Sequence, residues 1–114
     1  MGQVTGERIG VAWVIRLEGS FLTDQDAVLI EEMVARMPVD AECMIVNWLG
    51  IQTINSTCLG AVMKGEIDIA KLGRTYKNCA FSVRSQWIVR PFRKSFPWHY
   101  FDTEEQAVKA CAAE

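Results

Sequence analysis

Apolar residues alternate along the chain between the spacing of strands and the spacing of helices. Residues 11–17 are rich in strand-forming residues, which predicts a strand that ends at Gly19. A helix is then expected, capped by Thr23 or Asp24 and stopped by Pro38. The short run Cys43–Val46 is continuously apolar, which is typical of a strand buried on both faces. The residues on the predicted inner faces are Val11, Trp13, Ile15 and Leu17 for the strand, and Ala27, Ile30, Val34 and Met37 for the helix.

The second half of the chain repeats this alternation. Residues 47–53, which include Gly50, are predicted to form a connection into a helix that starts after Ser56 and ends before Gly73. A strand is predicted over Asn78–Val83, and Pro91 limits residues 86–94 to a short, interrupted helix. A last strand is expected in residues 98–101, before a helix whose capping box pairs Thr103 with Gln106. The apolar face of the Ser56 helix is expected to contain Leu59, Val62, Met63, Ile67 and Ala70, and that of the last helix Ala107, Val108, Ala110 and Cys111.

Strands and helices in this order predict an α/β fold. We expect a single-layer mixed, mostly parallel β-sheet of 4–5 strands, packed with about four α-helices in one domain that spans residues 1–114. The residues before Val11 are expected to add a short edge strand.

Composition narrows the class of protein. The 114 residues are 50% hydrophobic with a formal net charge of −2, which argues against a dedicated nucleic-acid binder. No apolar run is long enough to cross a bilayer and no signal pattern opens the chain, so a cytoplasmic protein is expected. Four separated cysteines and a single histidine, His99, do not fit a zinc site, and no cofactor is expected. Cys43 and Cys79 are predicted to be core thiols in a reducing compartment.

The basic residues are unevenly distributed. Eight of the twelve fall between Lys64 and Lys94, a segment whose only acids are Glu66 and Asp68. This segment forms either a solvated basic face or a docking surface for an acidic partner, since complementary charge steers association.

The junction at Ser56 is the strongest candidate for chemistry. A hydroxyl at a helix start either caps the helix or, when phosphorylated, places a dianion where the helix favours one. A small hydrolase that uses Ser56 or Cys58 with His99 is a separate alternative, although no Gly-x-Ser-x-Gly elbow is present. Trp48 lies before the Gly50 connection, and a partly exposed recognition role is one of its two possible roles.

Several motifs in order resemble the STAS domain of bacterial anti-sigma-factor antagonists, which also occurs on sulfate transporters. The resemblance runs from about Val14 to Ala110. The motifs are a strand that ends in Leu17-Glu18-Gly19, a buried strand that ends in Asn47-Trp48-Leu49, the central Asn55-Ser56-Thr57-Cys58-Leu59-Gly60, the helix end Lys71-Leu72-Gly73-Arg74, and the cap Thr103-Glu104-Glu105-Gln106-Ala107.

This resemblance implies a non-enzymatic regulator in a partner-switching cascade. By motif position Ser56 is the phosphoacceptor, with Thr57 as the alternative. A serine kinase that is also the anti-sigma factor and a serine phosphatase are the implied partners. Neither nucleic acid nor direct membrane insertion is expected. The implied partner-binding residues are Ser20, Trp48, Asn55, Ser56, Thr57, Cys58 and Leu59.

The chain departs from the family pattern at four positions. Asn47 and Asn55 replace aspartates, Cys58 replaces a glycine, and the first-loop Asp is missing where Leu22 stands. These changes indicate either a different kinase specificity or a constitutive binder that is not phosphorylated. Two further alternatives within the family are a STAS regulatory subunit of an ABC lipid-transport ATPase and a stressosome-type scaffold.

Overall fold

In the part of the chain that the structure describes, five strands lie side by side in the order in which they occur along the sequence. The computed structural model describes residues 2–92 and 100–113, and no helix within these ranges is long and apolar enough to cross a bilayer. β1 pairs antiparallel with β2, whereas β2 through β5 are all parallel. The elements are β1 (Gln3–Ile9), β2 (Ala12–Phe21), α1 (Asp24–Ala35), β3 (Cys43–Ile54), α2 (Ser56–Lys71), β4 (Thr75–Cys79), α3 (Val83–Val89), a 3₁₀ turn (Arg90–Phe92), β5 (Tyr100–Phe101) and α4 (Glu104–Ala112). The predicted α/β fold, with its mostly parallel sheet, is confirmed.

The sheet is covered on both faces. α1 and α2 pack on one face around the larger of two apolar clusters, which includes Ile30, Val62 and Trp48. α4 packs on the other face around a smaller cluster with Ala107 and Cys111. Both faces of β2 and β3 are therefore buried, as expected of central parallel strands.

Several predicted strand boundaries were wrong: β2 continues past Gly19 to Phe21, and β4 starts at Thr75 instead of Asn78. β3 continues through the expected connection to Ile54, because Trp48, Ile51 and Ile54 keep pointing into the larger cluster. Conversely, β4 ends at Cys79 instead of Val83, since the Ser82 hydroxyl accepts a hydrogen bond from the Ser85 N–H and caps α3. Of the last predicted strand, residues 98 and 99 lie outside the described residues.

The inner face of α2 differs from the predicted stripe. Ile67 and Ala70 are exposed, whereas Glu66 and Ile69 are buried. A charged residue at position 66 does not signal burial in the sequence, and its burial depends on Asn78 in β4, which hydrogen-bonds to it. In β2, Trp13, Ile15 and Leu17 share the predicted face, but Val11 precedes the strand and packs against the opposite cluster.

The prediction of Cys43 as a free core thiol was wrong. Cys43, at the start of β3, forms a disulfide with Cys111 in α4, and their Cα atoms are 5.9 Å apart. The two residues are 68 positions apart in sequence, so nothing in their spacing indicates that they meet. Cys58 and Cys79 are free and buried.

Candidate functional site at the carboxyl edge of the sheet

Asn55, and not Ser56, caps α2. The Asn55 side chain accepts a hydrogen bond from the Cys58 N–H at 2.8 Å, and its own N–H donates to the Phe21 carbonyl at 2.8 Å. Ser56 is therefore the first residue of the helix, and its side chain is exposed. Within residues 2–92 and 100–113 the Ser56 hydroxyl has no hydrogen-bond partner. The junction thus presents a hydroxyl that the helix does not need for capping.

The loop between β2 and α1 lies beside this junction and is held by Asp26. The buried carboxylate of Asp26 accepts hydrogen bonds from the N–H groups of Gly2, Leu22 and Thr23, at 3.3, 3.0 and 3.1 Å. These bonds, led by that of Leu22, lower the pKa of Asp26 below its ordinary value. The Cys58 thiol donates to the Thr23 carbonyl at 3.4 Å, which joins the loop to the first turn of α2.

Two carboxylates of α1, Asp24 and Asp26, act electrostatically on the first turn of α2. Burial raises the pKa of the Cys58 thiol above its ordinary value, and the charges of Asp26 and Asp24 add to the effect. The family aspartates at positions 47 and 55 are absent, but these two carboxylates lie in the first turn of α1. The signal in the sequence is the capping box that Thr23 forms with Asp26, which places an acid at the third position of α1.

Four of the seven predicted partner-binding residues lie together at the surface. Parallel strands end at the same edge of a sheet, and Ser20 at the end of β2 pairs in register with Thr53, next to Asn55, Ser56 and Thr57. Ser56 and Thr57 are exposed, and Ser20 and Asn55 are half-buried.

The other three predicted partner-binding residues are buried, and their assignment to a partner surface is corrected. The exposed fraction of the side chain is 0% for Cys58, 2% for Leu59 and 0% for Trp48. Cys58 and Leu59 point into the core because they lie on the side of α2 that packs against the sheet, whereas Ser56 and Thr57 lie on the side that faces solvent. Burial and a raised pKa also make Cys58 a poor nucleophile. His99, the proposed base of the hydrolase alternative, lies outside the described residues.

Trp48 instead takes part in a buried series of side-chain hydrogen bonds, called the polar chain below. Its indole N–H donates to Asn78 Oδ1 at 2.8 Å, and Asn78 Nδ2 donates to Glu66 Oε2 at 3.0 Å. The Trp48 ring also stacks on Phe81 at 5.4 Å between centroids. Burial raises the pKa of Glu66 to about 8, against the opposing effect of the Asn78 hydrogen bond. Glu66 Oε1 is buried without a partner among the described residues, which fits a carboxyl group that is protonated at neutral pH.

Asn47 belongs to a polar cluster on the α4 face. Its side chain donates to Glu104 Oε1 at 3.0 Å and accepts from the Leu49 N–H at 2.9 Å. Glu104 also forms a two-pronged ion pair with Arg16, in which both N–O distances are 2.8 Å. Arg16 reaches Glu7 at 2.7 Å as well. Asn47 thus connects β3 to α4 and does not supply charge to Ser56.

Comparisons with solved structures agree with this architecture. An anti-sigma factor antagonist from Mycobacterium paratuberculosis has a TM-score of 0.79 and 14% identity, over 98% of this chain and 95% of that one. A sulfate transporter family protein from Wolinella succinogenes has a TM-score of 0.77 and 14% identity, over 92% of this chain and 88% of that one. The Bacillus cell fate determinant SpoIIAA in its phosphorylated form has a TM-score of 0.69 and 20% identity, over 95% of this chain and 98% of that one.

No family model matches the sequence, and no curated protein matches it. The likeness therefore lies in the order, pairing and packing of the elements over nearly the whole chain. Because identities of 14–20% accompany TM-scores of 0.69–0.79, the comparison concerns architecture. The chain has the STAS fold of the anti-sigma-factor antagonists.

Proposed function

We propose that this chain is a non-enzymatic, protein-binding regulator that acts as an anti-sigma-factor antagonist in a partner-switching cascade. The observation that carries the proposal is the exposed Ser56 hydroxyl at the first position of α2, left unused because Asn55 caps the helix. It occurs in a chain whose fold matches antagonists from end to end. In this role the protein binds a serine kinase that is also an anti-sigma factor.

Phosphorylation at Ser56 suits a switch that does not refold the domain. The kinase transfers the γ-phosphoryl group of ATP to Ser56 Oγ, the hydroxyl proton is lost, and ADP leaves. The product carries a charge of about −1.5 to −2 at pH 7. The N-terminus of α2 tolerates this charge, whereas Asp24 and Asp26 nearby oppose it. A charged group on a docking surface weakens binding through desolvation and repulsion, and a serine phosphatase restores it.

The neutral Asn55 is compatible with this role. Asparagine and aspartate cap helices about equally well, so the substitution keeps the geometry of the junction and removes one charge. Kinase recognition would then depend on Asp24, the exposed acid at the start of α1, and this would give a different kinase specificity. The alternative, a constitutive binder, predicts the same complex without phosphate.

The test uses the purified full chain and the serine kinase encoded nearest its gene. We expect one phosphate on the wild type after incubation with ATP, none on Ser56→Ala, and one on Thr57→Ala, read by intact mass. Thr5→Ala, an exposed residue of β1, is the matched control. A phosphate retained by Ser56→Ala and lost by Thr57→Ala would transfer the acceptor role to Thr57. Neither phosphate nor a complex with the kinase would overturn the proposed function.

A second candidate is a regulatory subunit of a membrane transport ATPase. It is favoured by the shared fold of the sulfate transporter family protein and by Ile67, an apolar residue of α2 that is 41% exposed. Co-purification with an ABC ATPase encoded nearby, abolished by Ile67→Glu and retained by Ser56→Ala, would support this candidate over the first.

A further inference from the structure

α3 presents an apolar stripe to solvent instead of burying it. Val83 and Trp87 are 75% and 66% exposed, whereas Ser85 and Val89 of the same helix are buried. Val83, Trp87 and Arg90 follow the spacing i, i+4 and i+7, so they lie along one side of the helical segment. We name Val83, Arg84, Trp87 and Arg90 the α3 patch. Large exposed apolar side chains grouped in this way mark interaction sites more often than single ones do.

The patch is held in place before any partner arrives. The Arg90 guanidinium lies 5.2 Å from the centre of the Trp87 ring, and Arg84 Nη1 donates to the Gln52 carbonyl at 3.4 Å. Ser82 caps the helix beneath them. An ordered tryptophan beside an arginine is the usual composition of an energetic centre in a protein interface.

Charge identifies the chemistry of the occupant. α3 (Val83–Val89) contains no Asp or Glu, and Arg84 and Arg90 place two positive charges on the same helical segment as Trp87. α1 at this edge is different, since its first turn contains Asp24 and Asp26. A surface that combines an exposed tryptophan with two arginines complements an acidic segment that carries an apolar side chain.

The α3 patch also lies at the same edge as Ser56. α1, α2 and α3 each begin where a parallel strand ends, and Gln52, which Arg84 contacts, precedes Ser56 by four residues in β3 and its junction. An acidic segment bound to α3 would therefore approach the N-terminus of α2. A phosphate on Ser56 would repel it.

We propose that the α3 patch binds an acidic segment of the partner protein, with Trp87 as the apolar contact and Arg84 and Arg90 as the charge contacts, and that phosphate on Ser56 expels this segment. The inference rests on the proposed function and adds the chemistry of the partner and the cause of its release.

The experiment measures binding of the full chain to the neighbouring kinase. We expect Trp87→Ala to weaken the complex at least tenfold, because aromatic centres dominate interface energy. Arg90→Glu and Arg84→Glu should each weaken it by about tenfold at low salt, mainly by slowing association, and by less at 0.5 M salt. Leu72→Ala and Lys71→Glu, exposed residues at the opposite end of α2, are matched controls and should change binding less than twofold.

The results separate the two proposals. A wild type that binds while all three α3 variants bind equally well overturns the inference and leaves the proposed function intact. A wild type that binds no kinase overturns both. Equal unfolding temperatures of wild type and variants establish that the α3 substitutions act on the surface. Charge-reversal of an acidic residue in the partner that restores binding to Arg90→Glu would support the direct contact.

Discussion

The two faces of the sheet are held together by different means. Of the described residues, eighteen buried apolar side chains form the cluster under α1 and α2, against eight under α4. The larger face contains the buried chain Trp48–Asn78–Glu66, whereas the smaller face has the Cys43–Cys111 disulfide and the ion pair of Arg16 with Glu104.

The difference shows that the face with the smaller apolar cluster is the one that carries additional stabilising links. A large apolar cluster stabilises α2 enough to tolerate a buried carboxyl group, whose desolvation opposes folding when the group is charged. The α4 face buries less apolar surface and adds a covalent link and a partly exposed ion pair. The helix that begins at Ser56 is therefore anchored by packing, and a phosphate at its exposed end leaves this anchor unchanged.

The largest expected contrast between the faces is in their response to pH. The pKa of Glu66 is raised from 4.5 to about 8 in the folded protein. The folded state therefore binds more protons than the unfolded state between these values. The contribution of Glu66 protonation to the free energy of unfolding is complete below pH 4.5. It is lost as the pH rises through 8, at up to about 1.4 kcal/mol per pH unit. We expect the free energy of unfolding, measured with urea, to fall over this interval.

Glu66→Gln is the control for the pH response. The amide cannot ionise, so the difference between the variant and the wild type isolates position 66 from every other titrating group. The nearby Asn78 is neutral, and the pKa of Tyr76 is raised by burial and by the charge of Glu66. A wild-type curve parallel to that of Glu66→Gln from pH 5 to 8 would refute the assignment.

Removal of the disulfide should have the next largest effect, and it acts on the α4 face. The link closes a loop across a separation of 68 residues, so chain-entropy arguments give about 4 kcal/mol. Cys111→Ser should lower the free energy of unfolding by about this amount in air and by much less when both proteins are compared in reductant. Four free thiols in the wild type purified in air would show that the link is not made.

Local patterns predicted the fold, and contacts between distant residues determined where the prediction failed. The strand over residues 13–17, the helix stop before Pro38 and the capping box of Thr103 depend on neighbours in sequence, and the structure confirms them. Glu66, by contrast, is buried because Asn78 in another element hydrogen-bonds to it, and Cys43 is paired with Cys111 across the chain.

In the candidate site, too, local sequence predicted some features and contacts between distant residues determined the others. The motif predicts the Ser56 junction, but it leaves open whether Ser56 caps the helix, because Ser and Asn cap helices about equally well and only geometry distinguishes them. The acids beside Cys58 come from α1, more than thirty residues away, and Trp48 is buried because β3 extends to Ile54.

Breaking the polar chain should cost less than losing the disulfide. Asn78→Ala leaves the Trp48 N–H without its acceptor and Glu66 without its donor, and we expect a loss of about 2–3 kcal/mol in urea unfolding at pH 6. Asn47→Ala on the α4 face is the matched control, since Asn47 is half-buried, and about 1 kcal/mol is expected there. Equal losses for the two variants would mean that burial of the amide is unimportant.

The smallest effect is expected for the ion pair of the α4 face, and its sign with pH is opposite to that of Glu66. The Arg16 guanidinium holds the pKa of Glu104 below its ordinary value, with a smaller contribution from Asn47. This stabilisation is complete above pH 4.5 and is lost as the pH falls through the lowered pKa. Glu104→Gln should therefore cost about 1 kcal/mol at pH 7, because the pair is partly exposed, and less at pH 3. Urea unfolding of both proteins at these two pH values measures the difference. A penalty of equal size at pH 7 and pH 3 would show that Glu104 acts through packing and not through its charge.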